Sequence, residues 1–177
     1  MSGTGDILAA AIPGLLLYAA FTDLTSRRLS NRLCALVAVL ALAWQFGQAP
    51  ARIWAPLAAG LLVLVPLGWF WSRGWLGGGD VKFATALAFW AGLSDLPELL
   101  LVTTLAGGIV ALGVLLRPWF AQRLAVVLAS LSALGLRPAG GVAARLALAP
   151  RGVPYGVALA GGGLWIWVQR FPAPGIS

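Results

Sequence analysis

The sequence predicts an all-α membrane protein, a polytopic bundle of about six transmembrane helices with the N- and C-termini outside the cytoplasm. Three observations carry this. Hydrophobic residues make up 60% of the 177 positions and charged residues only 10%, whereas a soluble domain carries roughly a quarter charged residues. Several uncharged runs approach the length of about 20 residues that crosses a hydrocarbon core. The basic residues also segregate strongly once the loops are assigned to alternate sides.

Taken in order, the apolar runs at 7–22, 33–49, 53–71, 97–116 and 153–169 read as spans. A sixth, 81–94 (VKFATALAFWAGLS), is short; by length it could be re-entrant or buried, and counting it as a span makes the topology even. The opening MSGTGDILAAAIPGLLLYAAF lacks a basic region ahead of its apolar stretch and reads as a retained first span, not a cleaved signal peptide. With loops alternated, one side receives Arg27, Arg28, Arg32, Arg73, Lys82, Arg117, Arg123, Arg137, Arg145 and Arg151, and the other only Arg52 and Arg170. That bias places the first side in the cytoplasm. Trp54, Trp69, Trp71, Trp75, Trp90, Trp119 and Trp167 fall mostly near span ends, as an aromatic belt. The whole chain, 1–177, reads as one membrane-embedded domain. Residues 117–152 read as a cytoplasmic amphipathic segment lying at the interface, with a further span over 124–136 as the alternative.

Histidine is absent and Cys34 is the single cysteine, which excludes a histidine triad, a Cys/His zinc site and an intrachain disulfide. Cys34 reads as a small residue facing lipid or a neighbouring helix. The net charge of +7 is explained by cytoplasmic loops, not by nucleic acid.

Five acids remain: Asp6, Asp23, Asp80, Asp95 and Glu98. Asp6 lies near the N-terminus, and Asp95 and Glu98 flank Pro97, where carboxylates suit a helix start. Asp23 closes the first span and Asp80 follows three glycines at the start of another. Singly, each reads equally as a helix-end charge or a functional group. As a pair on one face of the membrane they point to function, because ionisable groups in or near hydrocarbon are costly. Two carboxylates can share a proton, hold a water and hydrolyse an amide without metal or other cofactor. Gly77, Gly78 and Gly79 would let a substrate strand approach Asp80 closely, or simply form a turn.

These residues resemble a known family. Gly77-Gly78-Gly79-Asp80 matches the GxGD motif of intramembrane aspartic peptidases, and GGGDVKFATALAFWAG is similar to its form in type IV prepilin peptidases. Asp23 followed by Arg27, Arg28 and Asn31 resembles that family's first motif, an aspartate ending the first helix before a basic stretch and Ile-Pro-Asn. Here Leu29-Ser30-Asn31 stands in that place, a departure that bears on the rigidity of the loop. Val153-Pro154-Tyr155-Gly156-Val157-Ala158 resembles a third segment at the start of the last helix. The resemblance implies that Asp23 and Asp80 are the catalytic pair, with Gly77, Gly79, Lys82, Arg27, Arg28, Asn31, Pro154 and Tyr155 in motif or substrate-positioning roles. Arg27 and Arg28 equally suit a topology signal or anionic lipid, and Lys82 a snorkelling role.

It further implies a bacterial inner-membrane endopeptidase that removes the short leader of prepilin-like proteins at the cytoplasmic face. Its partners would then be those substrates and the surrounding lipid. Longer relatives of this kind carry an added cytoplasmic domain with paired cysteines and also methylate their product. About ten residues separate the first two spans here, so the chain resembles the short, peptidase-only form of tight-adherence (Flp-type) pilus systems. Three other readings stand beside it, one of them a purely structural assembly subunit. A transporter or proton-pathway subunit would also use intramembrane acids, and a Ser–Lys peptidase would use Lys82 as base with a serine beside it.

Overall fold

The computed structural model describes residues 3–133 and 154–172. Every regular element among them is helical: α1 Gly3–Ser26, α2 Asn31–Gln48, a 3-10 turn Pro50–Arg52, α3 Trp54–Ser72, α4 Gly78–Ala133 and α5 Tyr155–Arg170. Contacts divide the chain into two units, Met1–Gly107 with Pro154–Ser177, and Gly108–Val153.

In the first unit the direction of each helix follows from what it touches. Asn31, at the start of α2, accepts a hydrogen bond from Lys82, near the start of α4. Gln45, near the end of α2, donates to the carbonyls of Phe89 and Trp90. These two helices therefore run the same way. α3 runs back against them: Gly60 leaves room for the Phe89 ring, and Trp71 covers Gly78. α5 begins beside Asp23 of α1 and continues past Leu16, so α1 and α5 are antiparallel.

α4 is not one straight helix. Gly92 interrupts it with φ 68 and ψ −175, a conformation essentially confined to glycine. Beyond it the chain turns back: Asp95 meets Arg170, Glu98 meets Trp165 and Gln169, Leu99 and Thr103 meet Gly162, and Gly107 meets Ala158. Residues 78–91 and 93–107 thus form a helical hairpin with Gly92 at its apex. The break that the sequence suggested near Pro97 falls five residues earlier, because the residue that can take this backbone is the glycine, and Pro97 is accommodated within the returning helix.

The core is built from the small and large apolar faces of these helices. Ile12, Leu16, Val37, Phe83, Leu87, Trp90 and Ile166 are its largest fully buried side chains. The outward surface is apolar too. Leu17, Phe21, Val39, Leu61, Leu62, Val65, Leu101 and Leu105 are all exposed, far beyond the patches a water-soluble monomer shows. Pro50–Ser72 and Gly78–Val127 are long and apolar enough to cross a membrane, and Ala10–Ser26 is a shorter apolar helix. Hydrocarbon is the solvent that suits this surface, since it removes the cost of leaving these side chains outside.

Trp54, Trp69, Trp71, Trp75 and Trp119 are exposed, as a belt requires. Trp90 is not a belt residue: it is fully buried, 4.9 Å from the Trp44 ring. In the second unit the backbone stays helical to Ala133, with the Arg123 guanidinium 5.1 Å over the Trp119 ring. Of the segment 117–152, the part 134–152 lies outside the described residues.

Candidate active site

One end of the first unit gathers the end of α1, the α1–α2 loop, the end of α3, and the starts of α4 and α5. Asp23 lies one turn before the end of α1 and is buried, at 5% exposure. Among the described residues its Oδ2 has no hydrogen-bond partner. A buried carboxylate oxygen without a partner is uncommon in a purely structural setting, because desolvation is then uncompensated.

Asp80 sits in the third position of α4, not at the cap. Gly77 takes that place, since its carbonyl accepts the first helical bond from the Val81 N–H, at 3.2 Å. The Asp80 carboxylate folds back over Gly77, where a Cβ would come within 2.9 Å of its Oδ2. A carboxylate in this first turn also faces the positive end of the helix dipole. Asp23 lies near enough to Asp80 for its charge to act there. The fold therefore brings together the two acids that the sequence left on distant elements.

The loop between α1 and α2 docks on the glycine turn. Leu29 packs against Gly79, whose added Cβ would lie 3.3 Å from both the Leu29 Cβ and its carbonyl oxygen. The Cys34 Sγ contacts the Gly79 carbonyl at 3.8 Å, and Cys34 is buried between helices, not facing lipid. Lys82 donates to the Asn31 Oδ1 at 2.9 Å, so two motif residues from different helices hold each other at the rim.

The departure at Leu29-Ser30-Asn31 has a structural answer. Ser30 has φ −72, close to the value that a proline ring imposes. Its hydroxyl accepts from the Leu33 N–H at 3.1 Å, which caps α2. The serine thus holds by a cap the backbone that a proline would hold by its ring.

Arg27 ends α1 in the left-handed region, φ 54, with its N–H donating to the Asp23 carbonyl at 3.0 Å. This fixes where the helix stops, one turn beyond the carboxylate. Arg28 is exposed. Pro154 is buried and precedes the first turn of α5, while Tyr155 is exposed. Neither is placed against the carboxylates by any hydrogen bond in the described structure. The residue of that segment that does reach the site is Gly156: a Cβ there would lie 2.9 Å from the Cβ, Cγ and Oδ2 of Asp23. The sequence places Gly156 in the segment 153–158 that resembles the family, but within that segment the proline and tyrosine offer the more obvious chemistry.

Asp95 and Glu98 do more than favour a helix start. Asp95 accepts from Arg170 at 2.7 Å and Glu98 from the Trp165 indole at 2.7 Å, so both tie the returning half of the hairpin to α5.

Comparison with known proteins gives one match. The profile of the Type IV leader peptidase family covers residues 10–112, which include Asp23, the α1–α2 loop, the glycine turn and Asp80. No curated protein and no solved structure matched the chain.

Proposed function

Given that the chain belongs to the type IV leader peptidase family, and so is a membrane peptidase, we propose that it is an aspartic endopeptidase working through Asp23 and Asp80. The observation that supports this is that two carboxylates from separate helices lie near enough for the charge of one to act on the other, one of them buried with an oxygen unpartnered among the described residues. In the proposed reaction one carboxylate removes a proton from water as its oxygen attacks the scissile carbonyl carbon. The other, protonated, donates to the carbonyl oxygen. The tetrahedral gem-diol then collapses: the C–N bond breaks, the leaving nitrogen takes up the proton drawn from water, and a hydroxyl proton returns to the carboxylate that had protonated the carbonyl oxygen. Neither metal nor cofactor is required for this chemistry.

The substrate that suits the site is the short basic leader of a prepilin-like protein, cut at the cytoplasmic face of the bacterial inner membrane. The cytoplasmic placement is supported by Arg27, Arg28, Arg32 and Arg73, which all belong to the loops and helix ends at that end of the bundle. In this topology α1, α2, α3, the two arms of α4's hairpin and α5 are six passes, and both termini lie outside the cytoplasm. The short α1–α2 loop leaves no room for a cysteine-bearing domain, in keeping with a peptidase-only form.

The test is cleavage of a co-expressed prepilin by wild type, Asp23→Asn and Asp80→Asn, each verified in the membrane fraction. Loss of cleavage in both variants, by about a thousandfold or more, is the expected outcome. Near-normal cleavage by either one removes that residue from the mechanism.

A further inference from the structure

We propose that Gly156, at the start of α5, is a positioning residue for Asp23: its missing side chain is the space the Asp23 carboxyl group occupies. The proposal rests on the reading of Asp23 as half of the catalytic pair, and it assigns the last helix a part in shaping that pair.

The geometry leaves little freedom. A Cβ at 156 would lie 2.9 Å from each of three Asp23 atoms, Cβ, Cγ and Oδ2, closer than carbon and oxygen atoms approach without something moving. Which atoms would move is decided by what holds them. The Asp23 Cβ is fixed to the α1 backbone, whose next turn is pinned by the Arg27 N–H to Asp23 carbonyl bond. Its carboxylate, by contrast, is held by no hydrogen bond to Oδ2 among the described residues. A methyl group at 156 therefore either swings the carboxylate away or lifts the start of α5 from α1. In both cases the orientation of Asp23 toward Asp80 changes.

Gly163, two turns further along the same helix, provides the contrast. A Cβ there would meet the Leu87 Cδ2 at 2.8 Å and the Leu16 Cδ1 at 2.9 Å. Those are the far ends of leucine side chains in the core, and neither belongs to the site. Two glycines of one helix are thus equally tight yet differ in what they touch: at 163 leucine methyl groups, at 156 the carboxylate itself.

The experiment compares Gly156→Ala, Gly163→Ala and Asp23→Asn in membranes, using cleavage of a prepilin-like peptide, its pH profile and the thermal midpoint. Gly156→Ala is expected to lower kcat about a hundredfold, the scale of an ångström-sized misplacement of a reacting group, with KM little changed and the pH profile displaced. Gly163→Ala is expected to keep the wild-type kcat and pH profile per folded molecule. Wild-type kcat and pH profile in Gly156→Ala overturn the proposal.

A double-mutant cycle guards against a variant that merely fails to fold. Removing the aspartate side chain vacates the contested space, so Gly156→Ala should lower the thermal midpoint, or membrane accumulation, less in an Asp23→Gly background than in wild type. An equal loss in both backgrounds overturns the proposal. Retained cleavage in Asp23→Asn overturns instead the reading on which it rests, and the cycle reports on the packing separately.

Discussion

Two polar clusters stand at opposite ends of the same helices, about 17 Å apart along the first arm of α4, and they are completed differently. At one end Arg170 donates to Asp95 through both Nε and Nη2, at 3.1 and 2.7 Å. It also donates to the carbonyls of Trp90 and Ala91, and its guanidinium lies 4.9 and 5.0 Å over the rings of Trp44 and Trp90. Gln45 takes the carbonyls of Phe89 and Trp90. The helix end opened by Gly92 is thus provided with donors from two other helices. At the other end Asp23 is more deeply buried than Asp95, yet one of its oxygens has no partner among the described residues. The contrast separates two uses of a buried charge. Where the carboxylate is paired with an arginine that also serves backbone carbonyls, the group holds the fold. Where an oxygen is left open beside a second carboxylate, the group is suited to a molecule that comes and goes.

Substitutions that neutralise an acid at each end test this contrast most strongly. Asp23→Asn and Asp80→Asn should abolish cleavage while the protein persists in the membrane. Asp95→Asn should do the opposite: a lower thermal midpoint, with cleavage per folded molecule near that of wild type. Equal behaviour of the two ends in a paired cleavage and thermal-shift assay would dissolve the distinction.

Replacing Arg170 by Met comes next in size. The Asp95 carboxylate and the Trp90 and Ala91 carbonyls lose their donors together, so stability should fall by about 3 kcal/mol, read as earlier thermal aggregation in detergent. Gly92→Ala acts on the same hairpin through the backbone. An alanine at φ 68, ψ −175 is strained, and its Cβ would lie 3.1 Å from the Gln45 Nε2, so a loss of about 2 kcal/mol is expected. A Gly92→Ala protein as stable as wild type would show that the apex is not what fixes the turn.

The smallest effect belongs to the rim of the site. Lys82 and Asn31 are both exposed, and an exposed charge-assisted hydrogen bond contributes less than about 1 kcal/mol. Lys82→Met should therefore change KM for prepilin by a few-fold and leave the thermal midpoint almost unmoved.

Much of this was legible beforehand, and the reason differs from residue to residue. The helical, lipid-suited character follows from composition, which no packing arrangement can change. Asp23 and Asp80 stood out because acids are scarce in so apolar a chain, and the Gly77–Asp80 motif is short and continuous. Pro97 and the acids beside it, the usual signs of a helix start, point to a turn near Pro97. The backbone angle that reverses the chain belongs to Gly92, and a lone glycine in an apolar run announces nothing. The role of Arg170 was equally hidden. In the sequence it is a terminal cation on the sparsely charged side; in the fold it is nearly enclosed, 16% exposed, and it satisfies carbonyls some eighty positions away.

Tyr155 and Gly156 mark the boundary between the two kinds of knowledge. The sequence could nominate the segment they share, and of its residues the tyrosine offers the more obvious chemistry. The structure exposes the tyrosine and sets the glycine against Asp23. Sequence by itself determined the solvent this protein suits, its class of fold, its family, and the two acids worth pairing, because these depend on residue type and local spacing. Tertiary structure alone decided that the two acids share one end of the bundle, where the chain reverses, which cation closes the hairpin, and which glycine leaves room for a carboxylate. Each of those depends on which surfaces face one another once the helices pack, a relation between positions that spacing along the chain does not encode.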